Sequence, residues 1–134
     1  MLLLDASVWA AVVDPKDRFH SSAKSIVGKL DHDLGALDLT LYEIANVVGV
    51  KMGLPEQARD MAQLVVDRCQ DRLLALNVAL LHAACVSAGV NDLTAYDAAY
   101  VAAADRTGWT LVSADIADLV SKGLAVTPDA AVYP

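Results

Sequence analysis

The stretch Leu2-Leu3-Leu4-Asp5-Ala6-Ser7-Val8-Trp9 runs three leucines straight into a carboxylate, then a hydroxyl, then a second apolar run. Leu2 to Asp5 reads as a buried strand, and Ser7 carries a hydroxyl suited to capping a helix over Val8 to Val13. The same alternation continues outward. Asp14-Pro15 breaks the first helix, and apolar residues at Phe19, Ala23, Ile26, Val27 and Leu30 predict a second by their helical period. Gly35 to Leu39 is a second strand. Thr40, three residues before Glu43, announces a third helix through Ile44, Val47 and Val48 to Gly53, and Pro55 starts another that extends to about Cys69. Leu73 to Leu76 is a third strand, and Asn77 caps a helix from Val78 to Ala88 that Gly89 ends. Thr94 to Thr107 is Ala-rich and apolar nearly all round, which predicts a buried helix with Asp97 as the charge of its first turn. Trp109 to Val112, Asp115 to Lys122 and Leu124 to Val126 follow as strand, short helix and strand. Short apolar strands alternating with helices predict an α/β sandwich around a mostly parallel sheet, because parallel strands need crossover helices.

Composition narrows the chemistry. The 134 residues are 56% hydrophobic and 20% charged, which fits one domain with a generous core and excludes a disordered or fibrous chain. A net charge of −7 repels phosphate backbones and membranes at long range and argues against a plain electrostatic nucleic-acid binder. The leucines meet Asp5 at once, with no basic region before them, so they do not read as a signal peptide. No stretch reaches the roughly eighteen apolar residues of a membrane helix, and a soluble protein is expected. Cys69 and Cys85 lack metal-ligand spacing and read as core thiols in a reducing cytoplasm. His20, His32 and His82 show no paired spacing, and neither a nucleophile elbow nor a P-loop occurs.

The carboxylates carry the functional signal. Asp5 ends the first strand, Asp115 follows the fourth, and Glu43 and Asp97 lie near the start of helices entered from the same rim. Four acids converging on one cleft repel by roughly 4 kcal/mol per close pair at an effective dielectric of about 20, so they must take up protons or bind cations. Oxygen ligands without His or Cys select Mg²⁺ or Mn²⁺, and such ions suit phosphodiester hydrolysis. Each acid also has a structural reading. Thr40 with Glu43, and Thr94 with Asp97, have capping-box spacing, Asp115 caps the helix after it, and Asp118 reads as a solvated surface residue. Asp5 resists such a reading, because an acid after three buried leucines costs several kcal/mol unless paired or metal-bound.

Leu3-Leu4-Asp5-Ala6-Ser7, Leu41-Tyr42-Glu43-Ile44-Ala45-Asn46-Val47, the block from Leu93 through Asp97 to Ala104, and Gly108 to Asp115 resemble the successive blocks of PIN-domain ribonucleases. They most resemble the VapC toxins of prokaryotic toxin–antitoxin pairs, over nearly the whole chain. The resemblance implies one PIN-like nuclease domain over residues 1–134, a three-layer α/β sandwich with a central five-stranded parallel sheet. It implies that Asp5, Glu43, Asp97 and Asp115 hold one or two Mg²⁺ or Mn²⁺ ions for endonucleolytic RNA cleavage. By the family's mechanism a metal-activated water attacks the phosphate, leaving a 5′-phosphate and a 3′-hydroxyl without a covalent intermediate. Ser113 matches the family's Ser/Thr position, and Ser7 follows the first acid where a small hydroxyl is common. Asn46, one helical turn from Glu43, orients that carboxylate, touches substrate or packs. The implied partners are RNA, a second copy in a homodimer and a cognate VapB-like antitoxin that seats a basic side chain in the acidic pocket.

Setting the four acids aside leaves a charge of −3, so RNA affinity must come from a local basic patch. Lys16, Arg18 and Lys24, Lys51, and Arg68 with Arg72 are the candidates, and Trp9 is placed either to stack on a base or to fill the core. A narrow set of RNA targets is expected. Alternatives are a catalytically silent PIN-like binding module, or another aspartate-based phosphohydrolase. The latter would want a second Asp where Ser7 stands.

Overall fold

Alternation along the strands divides the leucines between two cores. In the computed structural model, which describes residues 1–133, β1 (Leu2–Leu4), β2 (Leu34–Leu37), β3 (Leu73–Leu74) and β4 (Thr110–Val112) form a parallel sheet in the order β3-β2-β1-β4. Leu3 pairs with Gly35 on one side and Leu111 on the other. Leu4, Leu34, Ala36 and Val112 face one core with Trp9, Ile26, Ile44, Val48 and Val65. Leu3, Leu37 and Leu111 face the second with Leu80, Ala98, Tyr100 and Leu119. Helices α1 (Ala6–Val13), α2 (His20–Gly28), α3 (Asp38–Ile44) and α4 (Pro55–Cys69) cover the first face, and α5 (Val78–Asn91) with α6 (Ala95–Thr107) covers the second. The α/β sandwich expected from the alternation is present, with the three layers that the resemblance implies.

The strand count differs from the expectation of five. Leu124 to Val126 does not form a strand; Val126 makes a single parallel bridge to Val112, with its N–H on Leu111 O at 2.9 Å and its carbonyl accepting from Ser113 N at 3.0 Å. Extension stops there because Thr127 caps α7 (Pro128–Val132), and Pro128 at its first position has no N–H to give a ladder.

Other boundaries also move. Asp5, not Ser7, caps α1. Gly89 does not end α5, which runs on to Asn91 and stops at Asp92 in the left-handed region at φ 53°. Beyond Ile44 the helix continues as π-helical turns over Ala45–Lys51, and the short helix expected after Asp115 is a π-helical turn over Ile116–Val120. Of the two cysteines expected in the core, Cys69 is buried but Cys85 lies exposed on α5. No single helix is long and apolar enough to cross a membrane.

Gly35 is required by close approach rather than by its backbone angles. A Cβ there would lie 2.3 Å from Cζ3 of Trp109, whose ring covers the β2 backbone, and 3.3 Å from Arg72 O. Gly35→Ala is expected to lose about 1–3 kcal/mol by overpacking, measured by urea unfolding; a midpoint equal to that of the parent would contradict this packing.

Candidate active site

The strand order reverses direction at β1, which has β2 on one side and β4 on the other. Open α/β sheets hold ligands in the crevice beyond the carboxyl ends of strands at such a point. Asp5 leaves β1 in extended conformation and is 5% exposed. Its Oδ1 accepts from Ser7 N at 3.0 Å, Val8 N at 3.3 Å and the Ser7 hydroxyl. The Ser7 hydroxyl in turn accepts from Ala114 N at 2.9 Å and lies 3.4 Å from Ser113 Oγ. Ser113 Oγ accepts from Asp115 N at 3.0 Å. Two serines thus stitch the end of β1 to the end of β4 and fix the spacing of Asp5 and Asp115.

Glu43 is brought to the same crevice differently. The helix begins at Asp38 rather than Thr40, so the expected capping box of Thr40 with Glu43 does not form, and Glu43 falls in the last turn of α3. Thr40 instead accepts from Leu37 N at 3.2 Å and pairs with the Tyr100 hydroxyl at 2.7 Å. The Tyr100 hydroxyl donates to Glu43 Oε1 at 2.7 Å. Thr94 caps α6 as expected, accepting from Asp97 N at 3.2 Å, and Asp115 caps the turn after it, accepting from Asp118 N at 2.9 Å.

Asp5, Ser7, Asp17, Glu43, Asp97 and Asp115 line one cavity of about 400 Å³, with Tyr100 and Val47 in its wall. The four acids singled out from the sequence do converge. Asn46 does not join them: it is exposed and makes no hydrogen bond to Glu43 among the described residues. The i→i+5 turns after Ile44 are wider than α-helical ones, so Val47 takes the position facing the cavity that α-helical spacing gives Asn46. Asp118 is not simply a solvated residue, since its carboxylate lies within 4.8 Å of those of Asp97 and Asp115. Asp17 and Tyr100 were missed. Tyr100 sits three residues after Asp97 on one helix face, as Asp118 does after Asp115, a spacing that could have signalled both. Asp17 comes from a loop, where no period operates.

None of these acids is ion-paired among the described residues. Among the described residues the ion pair formed is Arg72 with Asp71, outside the cavity. Burial pushes the Asp5 carboxyl up to about 6, with a further push from the Glu43 charge; the Ser113 and Ser7 hydroxyls and the Val8 N–H oppose it. Burial also raises Glu43, helped by Asp97 and opposed by Tyr100. Asp97 is raised by burial and by the charges of Asp115 and Asp118. Lys122, the cation that partly offsets Asp97, directs its ammonium to Asn91 O and Asp92 O, both at 2.9 Å. A half-buried, oxygen-only donor set without His or Cys fits a hard divalent cation such as Mg²⁺ or Mn²⁺.

Two expected RNA contacts are otherwise engaged. Arg68 donates to Val27 O at 3.0 Å and Lys29 O at 2.8 Å, and Arg72 donates to Leu34 O at 2.9 Å, tying α4 to the approach to β2. Trp9 is fully buried in the core and cannot stack on a base. Lys16 and Arg18 are exposed on either side of cavity-lining Asp17, and Lys24 and Lys51 are also exposed.

Residues 2–118 match the PIN domain, and the chain belongs to that family. Within it, the chain is similar to Ribonuclease VapC3 of Pyrobaculum aerophilum, with 32% identity over 120 residues, 85% of this chain and 88% of the relative. It shares its fold with a toxin–antitoxin complex from Klebsiella pneumoniae at TM-score 0.68 and 15% identity, covering 96% of this chain and 98% of that one. It also shares it with VapC20 of Mycobacterium tuberculosis, a toxin that cleaves the sarcin-ricin loop, at TM-score 0.64 and 19% identity, covering 84% and 87%.

Because Asp5 has a raised pKa, ionising it opposes folding. Its contribution is fully present below about pH 3.8 and is lost as pH rises through about 6, a difference of about 3 kcal/mol by neutral pH. Asp5→Asn keeps a capping oxygen and is expected to melt above the parent at pH 7 in chelator, with the gap closing toward pH 4. A gap that is equal at both pH values would contradict the burial of an ionised Asp5.

Proposed function

We propose that the protein is a metal-dependent endoribonuclease that acts in the cytoplasm as the toxin of a toxin–antitoxin pair. One observation carries the reading. Asp5, Glu43, Asp97 and Asp115 reach one cavity from separate stretches of chain, with no ammonium or guanidinium paired to any of them among the described residues. Similarity to a protein named a ribonuclease supports the RNA substrate, and the shared fold of a toxin–antitoxin complex supports the partner.

The four acids would hold one or two Mg²⁺ or Mn²⁺ ions, with Asp118 close enough to Asp97 and Asp115 to join them. Bound there, such an ion polarises a phosphoryl oxygen and lowers the pKa of a water. The protein's own part is to hold the acids in place. Ser7 and Ser113 fix Asp5 against Asp115, and Thr94 sets the helix turn that presents Asp97. Hydrolysis adds water across a phosphodiester P–O bond and leaves a 5′-phosphate and a 3′-hydroxyl. Lys16 and Arg18, exposed on either side of cavity-lining Asp17 in the chain, are the side chains we assign to phosphate contacts. A cognate VapB-like antitoxin silences the site by pairing a basic side chain with the same carboxylates, which satisfies their charge without catalysis.

The exposed face of α5 supports a homodimer. Val78, Leu81, Val86 and Val90 are 55–78% exposed along it, and Leu76 and Tyr96 extend the patch over a groove of about 430 Å³. The exposed half of a helix of this kind can pack against its own copy about a two-fold axis.

RNA breakdown is expected to require Mg²⁺ or Mn²⁺, to stop with chelator and to fall at least about 100-fold in Asp97→Asn, a loss of about 2.7 kcal/mol of transition-state stabilisation. Equal cleavage by variant and parent would remove Asp97 from the site, and absence of cleavage with either ion would favour a silent binding module. Light scattering is expected to give twice the chain mass for the parent and one chain mass for Leu81→Asp. A monomeric parent would sink the α5 dimer.

A further inference from the structure

Tyr100 belongs to no part of the proposed chemistry, yet its hydroxyl lies in the cavity wall against one of the acids. The side chain is 1% exposed on α6, which packs on the opposite face of the sheet from the core behind α3. Its ring is anchored among the alanines of the second core. Its hydroxyl reaches 2.7 Å to Glu43 Oε1 and 2.7 Å to Thr40 Oγ1.

The proton order along this line is fixed at the Glu43 end, where an ionised carboxylate can only accept, so the single Tyr100 proton goes to Glu43. The Tyr100 oxygen then accepts from the Thr40 hydroxyl. Thr40 Oγ1 in turn accepts from Leu37 N, at the carboxyl end of β2, at 3.2 Å. Every donor in the series points toward Glu43.

We propose that Tyr100 and Thr40 form a directed hydrogen-bond relay, running from the end of β2, that positions the Glu43 carboxylate for metal binding. Tyr100 is a positioning residue in this account, not a catalytic one. Glu43 needs such a device more than Asp5 and Asp115 do. Asp5 is held by two backbone N–H groups and a hydroxyl in the first turn of α1, and Asp115 by the N–H of Asp118. Glu43 has a longer, freer side chain in the last turn of α3, where backbone N–H groups are already engaged within the helix. A partner from another element is the remaining source of a donor. Hydrogen bonds to a metal-binding carboxylate orient it, and their loss typically weakens metal affinity 10–100-fold.

This inference rests on the reading of Glu43 as a metal ligand, and one set of titrations separates the two. Mn²⁺ binding without RNA is measured by electron paramagnetic resonance on the full chain, alongside kcat and KM for RNA cleavage. Glu43→Gln is expected to weaken Mn²⁺ strongly; if it does not, the reading of Glu43 fails. Tyr100→Phe, which keeps the buried ring, is expected to weaken Mn²⁺ about tenfold and to lower kcat with KM little changed. Thr40→Val is expected to weaken Mn²⁺ in the same direction, whereas Thr40→Ser, which keeps the hydroxyl, binds within about twofold of the parent. The double variant Tyr100→Phe with Thr40→Val is expected to be no weaker than Tyr100→Phe alone, because both act through one chain of bonds. If Glu43→Gln loses Mn²⁺ but Tyr100→Phe binds it like the parent, the relay is overturned. Should Tyr100→Phe fail to fold, the contrast between Thr40→Val and Thr40→Ser decides, and equal affinity in those two would overturn it as well.

Discussion

Carboxylates held together without an ion-paired cation are the constraint on which the rest of this structure depends. Asp97, Asp115 and Asp118 approach within 4.8 Å of one another, a separation at which two unit charges repel by roughly 3 kcal/mol at an effective dielectric of about 20. Asp5 adds a buried charge a short distance away in the same cavity. Such a cluster opposes folding, so the surrounding chain must be stable enough to impose it. Two dry cores back to back on one sheet provide that stability, with Trp9, Ile26 and Val65 on one side and Leu80, Tyr100 and Leu119 on the other.

The site is assembled by bonds between elements far apart in the chain. Ser7 reaches the backbone after β4, and Tyr100 of α6 reaches Glu43 of α3. Both links cross the crevice where the strand order reverses, so the geometry of the acids is set by the sheet rather than by any one loop. The fold and the acidic cavity are in this sense a single construction: shifting β4 against β1 would move Asp115 and Asp5 apart at once.

Much of this was legible from the residues because the signals were local. Three leucines before Asp5, the cap at Thr94 and the alanine-rich helix carrying Asp97 each follow from nearest-neighbour chemistry, and all appear where expected. The fifth strand failed because Leu124 to Val126 is apolar enough for a strand, yet the Thr127-Pro128 cap cuts it short. Thr40 and Glu43 have capping-box spacing, but tertiary packing starts the helix two residues earlier and gives Thr40 to Tyr100 instead. Asn46 missed the site because π-helical turns are not visible in a period-based reading. Asp17 enters from a loop, whose path depends on where α1 and α2 pack, and no sequence spacing encodes that.

The truncation of the last strand has a bearing on how the molecule behaves among other chains. At one margin of the sheet β3 offers two residues, and at the other the outer side of β4 is closed by the Val126 bridge. Neither border presents a long row of open amides and carbonyls to template a foreign strand. Association through β-augmentation is thereby discouraged on both sides, and encounters with other polypeptides are left to the helical faces.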